Sequence, residues 1–97
     1  MPKYLIEVPH EEEIVACAKV IKVFLATGSH FLANAEWGCE DGEHKAWIIV
    51  DADSKEEARA VVPHAFRHEA KVTLLTTFTL EQVDNIIKNH TGIDEGY

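Results

Sequence analysis

Cysteine is scarce in this chain, with only Cys17 and Cys39 among 97 residues. Two cysteines cannot make the disulfide framework of a small secreted domain. Cys17 lies in an apolar helical run, where a small buried hydrophobe is expected. Basic residues are also in the minority. Nine Lys and Arg stand against 17 Asp and Glu, a formal net charge of −8. They are scattered singly and form no patch, so nucleic acid and anionic membranes are poor partners. Long apolar runs are missing too. The longest, residues 14–26, is broken by Lys19 and Lys22 and is too short to span a bilayer. The start Met1-Pro2-Lys3-Tyr4 lacks the apolar region of a signal peptide. A reducing cytoplasm is the expected compartment.

Several chemistries lack their motifs. The sequence has no Gly-rich phosphate loop, no GxSxG and no plausible Ser-His-Asp set. Residues 44–51 (HKAWIIVD) hold one aromatic and no Gly, which excludes an RNA-recognition strand. Residues 9–12 (PHEE) carry no CxxC metal loop. There is no internal repeat, linker or low-complexity segment.

What is present fits one globular domain, with 46% hydrophobic and 27% charged residues. Residues 3–8 alternate as a half-buried strand, with Tyr4, Ile6 and Val8 on one face. Glu11, Glu12 and Glu13 suit a helix N-terminus. The helix is expected to run to about Thr27, with an inner stripe of Ile14, Cys17, Ile21 and Leu25 and with Gly28 at C′. Residues 30–39 alternate again as a second strand. Asp41-Gly42 signals a hairpin into a third strand, His44 to about Ala52. A two-residue turn there sets Cys39 against His44, Trp37 against Ala46, Ala35 against Ile48 and Ala33 against Val50. Apolar then meets apolar on one face.

Ser54 and Glu57 form a capping box for a second helix that Pro63 ends. After an irregular turn, residues 64–69, comes a fourth strand, Lys71 to Phe78. Thr79 and Gln82 cap a last helix, Leu80 to His90, expected to bury Leu80, Val83, Ile86 and Ile87. Gly92 stops it. The chain thus reads as a single domain over residues 1–92 with a loose tail, 93–97. The order is β-α-β-β-α-β plus a C-terminal helix. This is the ferredoxin-like α+β pattern, a four-stranded antiparallel sheet with helices on one face.

Strand parity assigns Tyr4, Ile6, Val8, Phe31, Ala33, Ala35, Ala46, Ile48, Val50, Val72, Leu74 and Phe78 to the helix-packed face. The open face receives Leu5, Glu7, His30, Leu32, Asn34, Glu36, Trp47, Ile49 and Leu75. Its five large apolar groups, Leu5, Leu32, Trp47, Ile49 and Leu75, amount to a patch of roughly a few hundred Å², the size that marks an interaction site. A sheet-to-sheet homodimer enclosing a small-molecule pocket is the expectation. The polar groups of that pocket are Glu36, Asn34, His30 and Glu7. If a dimer buries Glu7 and Glu36, desolvation suits them to acid–base work; as rim carboxylates they pair with Lys3 and Lys45.

The run 24–28 (FLATG), the Trp37 strand, the Asp41-Gly42 hairpin and the Asp51 strand end before a capped helix resemble small bacterial dimeric α/β-barrel proteins. Muconolactone isomerases and antibiotic-biosynthesis-type monooxygenases are relatives in that superfamily. The resemblance covers residues 3–79 and implies a dimer whose sheets pack face to face around a pocket. It carries no catalytic residue onto this chain.

Three functions stay open. One is a small-molecule-binding protein of this assembly. Another is a cofactor-free isomerase or monooxygenase using a pocket carboxylate. The third is a histidine-based metal-binding protein. His64 and His68 are four apart, and Cys39 and His44 face each other across the hairpin, but neither spacing matches a standard zinc motif. The expectation is therefore no cofactor and no tightly bound metal.

Overall fold

The computed structural model describes residues 1–91 and shows an α+β protein built on one four-stranded antiparallel sheet. The expected stop at Gly92 and the tail 93–97 lie outside the described residues. The strands are β1 (Lys3–Pro9), β2 (Glu36–Gly38), β3 (Glu43–Asp51) and β4 (Lys71–Leu75). Their order is β2-β3-β1-β4. The helices are α1 (Ile14–Ala26), α2 (His30–Ala33), α3 (Lys55–Arg59) and α4 (Leu80–Thr91). Two 3₁₀ turns, Cys39–Asp41 and His64–Glu69, complete the chain.

Alternation in β1 buries Tyr4, Ile6 and Val8 beneath the helices. They pair with Val50, Ile48 and Ala46 of β3, which are also buried. Phe24 of α1, Leu32 of α2, Ala58 of α3 and the following Val62 close this core. Fully burying a side chain of this size is worth about 1.5–3 kcal/mol. The ends of the elements are capped as their sequences dictate. The Glu13 carboxylate accepts the Ala16 N–H and starts α1. Gly28 follows α1 at φ 78°, a left-handed conformation that suits glycine. Ser54 accepts the Glu57 N–H, while the Glu57 carboxylate reaches back to the Asp53 N–H. Thr79 and Gln82 cap α4 reciprocally. Arg59 donates to the carbonyls of Arg67 and Ala70, and Arg67 to those of Val62 and Ala60. These bonds fix the second 3₁₀ turn over α3.

Four expectations need correction. Residues 30–33 are a helical turn, and only Glu36–Gly38 is strand. Ser29 accepts the Leu32 N–H and so starts a helix. The Asn34 side chain holds the His30 carbonyl at its end. Leu32 consequently packs into the core rather than onto the open face, while Phe31 and Ala33 are exposed.

The hairpin is likewise not a two-residue turn. Trp37 opposes Ala46 as the apolar pairing requires, but the register then shifts and Gly38 opposes Glu43. The 3₁₀ turn over Cys39–Asp41 absorbs the slip, with Gly42 at φ 81°.

In α1, the buried residues are Cys17 and Phe24, whereas Ile14 and Leu25 are exposed. The helix starts at Ile14 rather than Glu11, so its inner face is fixed by packing of Phe24 on Trp37. Finally, β4 ends at Leu75, leaving Phe78 exposed, and α4 projects from the body. All its residues except Asp84 and Ile87 are exposed, including Leu80, Val83 and Ile86. This projection accounts for a radius of gyration of 17.9 Å, against about 13 Å for a compact chain of this length.

Candidate metal centre

At the end of the sheet where β1 stops and β3 begins, four side chains converge. His10 follows β1, and its backbone N–H donates to the His44 carbonyl at 3.0 Å. That bond extends the β1–β3 ladder by one step past the Pro9–Lys45 pair. Cys17 lies on the buried side of α1, one turn from the Glu13 cap, with its N–H bonded to the Glu13 carbonyl at 2.8 Å. Cys39 opens the 3₁₀ turn of the hairpin.

The donor atoms crowd together. His10 Nε2 is 3.2 Å from Cys17 Sγ and 3.1 Å from Cys39 Sγ. The two sulfurs are 3.3 Å apart and both thiols are free. Candidate ligand atoms of His10, Cys17, Cys39 and His44 all lie within 4.8 Å of one another. The rings of His10 and His44 meet edge-on at 5.6 Å, and the Trp37 ring packs against His10 at 5.6 Å. A tetrahedral zinc ion bound by two thiolates and two imidazoles needs ligand atoms about 3.3–3.8 Å apart. The His10, Cys17 and Cys39 donors, 3.1–3.3 Å apart, reach that geometry with shifts of a few tenths of an ångström, and His44, within 4.8 Å of the others, completes it by a larger side-chain movement.

The electrostatics also leave room for a cation. Burial, with His44 beside it adding repulsion, holds His10 below the usual imidazole value. Burial and then the Cys17 thiol push the Cys39 thiol up. Both shifts favour the neutral forms of His10 and Cys39. His10 Nδ1 and His44 Nδ1 are buried without a hydrogen-bond partner. An unpaired buried polar atom costs about 1–3 kcal/mol, a cost that a metal on His10 Nε2 would leave in place at His10 Nδ1. A bound divalent ion would displace the two thiol protons to solvent, and its charge would neutralise the two thiolates.

Two clefts flank the cluster. One of about 530 Å³ is lined by Pro9, His10, Glu11, Ala16, Lys19, Val20, Ala65, Phe66 and Glu69. The other, about 460 Å³, is lined by Ile21, Ala35, Glu36, Trp37, Cys39 and Glu40. Exposed carboxylates of Glu11, Glu12 and Glu13 lie between His10 and Cys17 in the chain, and those of Glu40, Asp41 and Glu43 between Cys39 and His44.

Of the nine residues expected in a pocket on the open face, Glu36 alone lines either of these clefts. Leu5, Glu7, Trp47 and Leu75 are half-buried on the open face, and Ile49 is 57% exposed there. Glu7 pairs with Trp47 in the ladder, and its carboxylate lies 3.8 Å from Lys45 Nζ. Glu36 opposes Trp47 from β2 but is exposed. His30 and Asn34 belong to the α2 turn, away from that face, and Leu32 is in the core. His64 and His68 sit exposed on a 3₁₀ turn, where His68 Nε2 lies 3.7 Å from the Glu69 carboxylate, and neither belongs to the four-donor group. Among the described residues, no helix is long and apolar enough to cross a membrane.

Sequence reasoning had found Cys39 and His44 as a pair. It missed His10, whose signal was the β1–β3 register that sets it beside His44, and it placed Cys17 on the inner side of α1 without bringing it to the cluster. No family model, curated protein or solved structure matches the chain.

Proposed function

We propose that this is a metal-binding protein of the zinc class, with His10, Cys17, Cys39 and His44 as its ligands. The observation that carries the reading is the mutual contact of one imidazole nitrogen and two thiol sulfurs within 3.1–3.3 Å. Two thiolates and two imidazoles suit a borderline-soft ion in tetrahedral geometry. Four protein ligands leave no open coordination position, so the centre holds a metal rather than activating water. The core of Tyr4, Ile6, Val8, Phe24 and Val50 is complete without these residues. The metal therefore adds to a fold that already stands, and the half-exposed position of His10, Cys39 and His44 lets it load from solution. The exposed carboxylates between the paired ligands in the chain raise the local cation concentration. Titration of metal-stripped, reduced protein with Co²⁺ tests the reading. One ion per chain with the intense visible bands of a tetrahedral thiolate site is expected; weak octahedral bands would refute it.

We also propose a ferredoxin-like class and a homodimer for this chain. The strand order β2-β3-β1-β4 supports the ferredoxin-like class. Leu5, Trp47, Ile49 and Leu75 on a sheet face that the helices leave open support a homodimer through that face.

A further inference from the structure

We propose that Cys17 and Cys39 form a thiol pair that hydrogen peroxide closes to an intramolecular disulfide, and that closure dismantles the metal centre. The loss of metal rests on the Cys₂His₂ reading above; the disulfide does not. The two sulfurs already touch at 3.3 Å and are held from separate elements, Cys17 by α1 and Cys39 by the hairpin turn. Closing the bond asks for an approach of roughly 1 Å. The two thiols also differ in access. Cys39 is half-buried and lines the cleft bounded by Ile21, Trp37 and Glu40, whereas Cys17 is buried. A small hydroperoxide in that cleft meets Cys39 first.

The chemistry balances with hydrogen peroxide as oxidant. The Cys39 sulfur attacks one peroxide oxygen and the O–O bond breaks. Cys39 becomes a sulfenic acid, and the second oxygen leaves as hydroxide, which takes the thiol proton to give water. The Cys17 sulfur then attacks the sulfenyl sulfur. The S–S bond forms, the S–O bond breaks, and the departing hydroxide leaves as a second water with the Cys17 proton. Two thiols are oxidised by two electrons in all, and one peroxide is reduced to two waters. Neither sulfur of the disulfide is then a thiolate ligand. His10 and His44 alone cannot hold a zinc-class ion as four ligands did.

The test uses the full chain, first metal-free and reduced, then loaded with Zn²⁺. Hydrogen peroxide at low excess should convert both free thiols of the metal-free protein to one Cys17–Cys39 bridge. Intact mass should show the loss of two hydrogens, and a peptide map should locate the bridge. From the loaded protein, a chromophoric chelator should collect one ion per bridge formed, and dithiothreitol with added Zn²⁺ should restore the centre. In Cys17→Ser, a dimedone adduct should be trapped on Cys39. Oxidation that gives sulfinic acids or only intermolecular disulfides would overturn the proposal, and so would a bridge that leaves the ion bound. Bridge formation in a protein that never took up metal would instead overturn the metal centre and leave the thiol pair standing.

Discussion

His10 and His44 are joined through their backbones, the N–H of one to the carbonyl of the other at 3.0 Å, while their rings meet edge-on at 5.6 Å. The last ladder bond between β1 and β3 thus delivers two imidazoles to one place. Because side chains alternate along a strand, a slip of one residue would turn His44 to the opposite face. The proposed metal centre would therefore be a consequence of sheet register, and its ligands should behave as one unit.

Loss of any one ligand should weaken metal binding severely. His10→Ala, Cys17→Ser, Cys39→Ser and His44→Ala should each reduce affinity by more than the roughly 10–100-fold that loss of an outer-shell partner costs. Competition against a chromophoric chelator reads this directly. His64→Ala and His68→Ala, both exposed and away from the cluster, should change nothing. A His64 or His68 variant that lost its metal would move the centre elsewhere.

Metal should stabilise a fold that exists without it. At a free concentration of about 100 times Kd, binding to the native state alone contributes about 2.7 kcal/mol. For a domain of this size each kcal/mol raises Tm by about 4–8 °C, so a rise of about 10–20 °C is expected on adding Zn²⁺. EDTA should reverse it and leave a cooperative transition at the lower temperature. A metal-free protein with no transition would show that the apolar core does not stand alone.

The sequence made parts of this plain and hid others for physical reasons. Strict alternation in Tyr4-Leu5-Ile6-Glu7-Val8 marks β1, and apolar matching found the Trp37–Ala46 pair. Residues 30–35 also alternate, but over six residues a period of two is not separable from one helical turn. The Ser29 cap decided it. In α4 the apolar stripe is real, yet periodicity does not say whether a stripe is covered, and this one is not. The cluster was half visible because Cys39 and His44 are close in sequence. The buried position of Cys17 was legible in the stripe of α1, but its meeting with His10 and Cys39 depends on how α1 packs on the sheet, which no local pattern gives.

Gly38 guards the hairpin that carries Cys39. A Cβ there would lie 2.5 Å from Trp47 Cζ3 and 2.7 Å from the Glu43 carbonyl oxygen. The ring could swing, but the backbone oxygen cannot move without opening the β2–β3 bulge. Gly38→Ala should therefore cost about 1–3 kcal/mol, as overpacking does, and should weaken metal binding although it changes no ligand. Denaturant melts and chelator competition on one preparation would show both effects.

Trp47 lies half-buried on the open sheet face between Glu7 and Glu36 in the ladder. If that face joins two copies, Trp47→Lys places a charge inside the contact and should shift light scattering from dimer to monomer. Metal stoichiometry per chain should stay the same, since the cluster sits at the helix-covered end. Unchanged scattering in wild type and variant, both monomeric, would leave this face solvated.

Glu13 should make the start of α1 sensitive to acid. The Ala16 and Val15 N–H groups hold its carboxyl below the ordinary carboxylate value. A group whose folded pKa is lowered binds its proton more readily in the unfolded chain. Its contribution is thus complete above the unfolded value and is lost as pH falls through the lowered folded value. Glu13→Gln removes the charge at every pH. The variant should therefore melt at a lower temperature than wild type near neutrality, and the gap should close on acidification. Because Cys17 follows one turn after this cap, the same variant should also bind metal more weakly at neutral pH. A melting difference that persisted unchanged into strong acid would mean that the carboxylate charge is not what starts the helix.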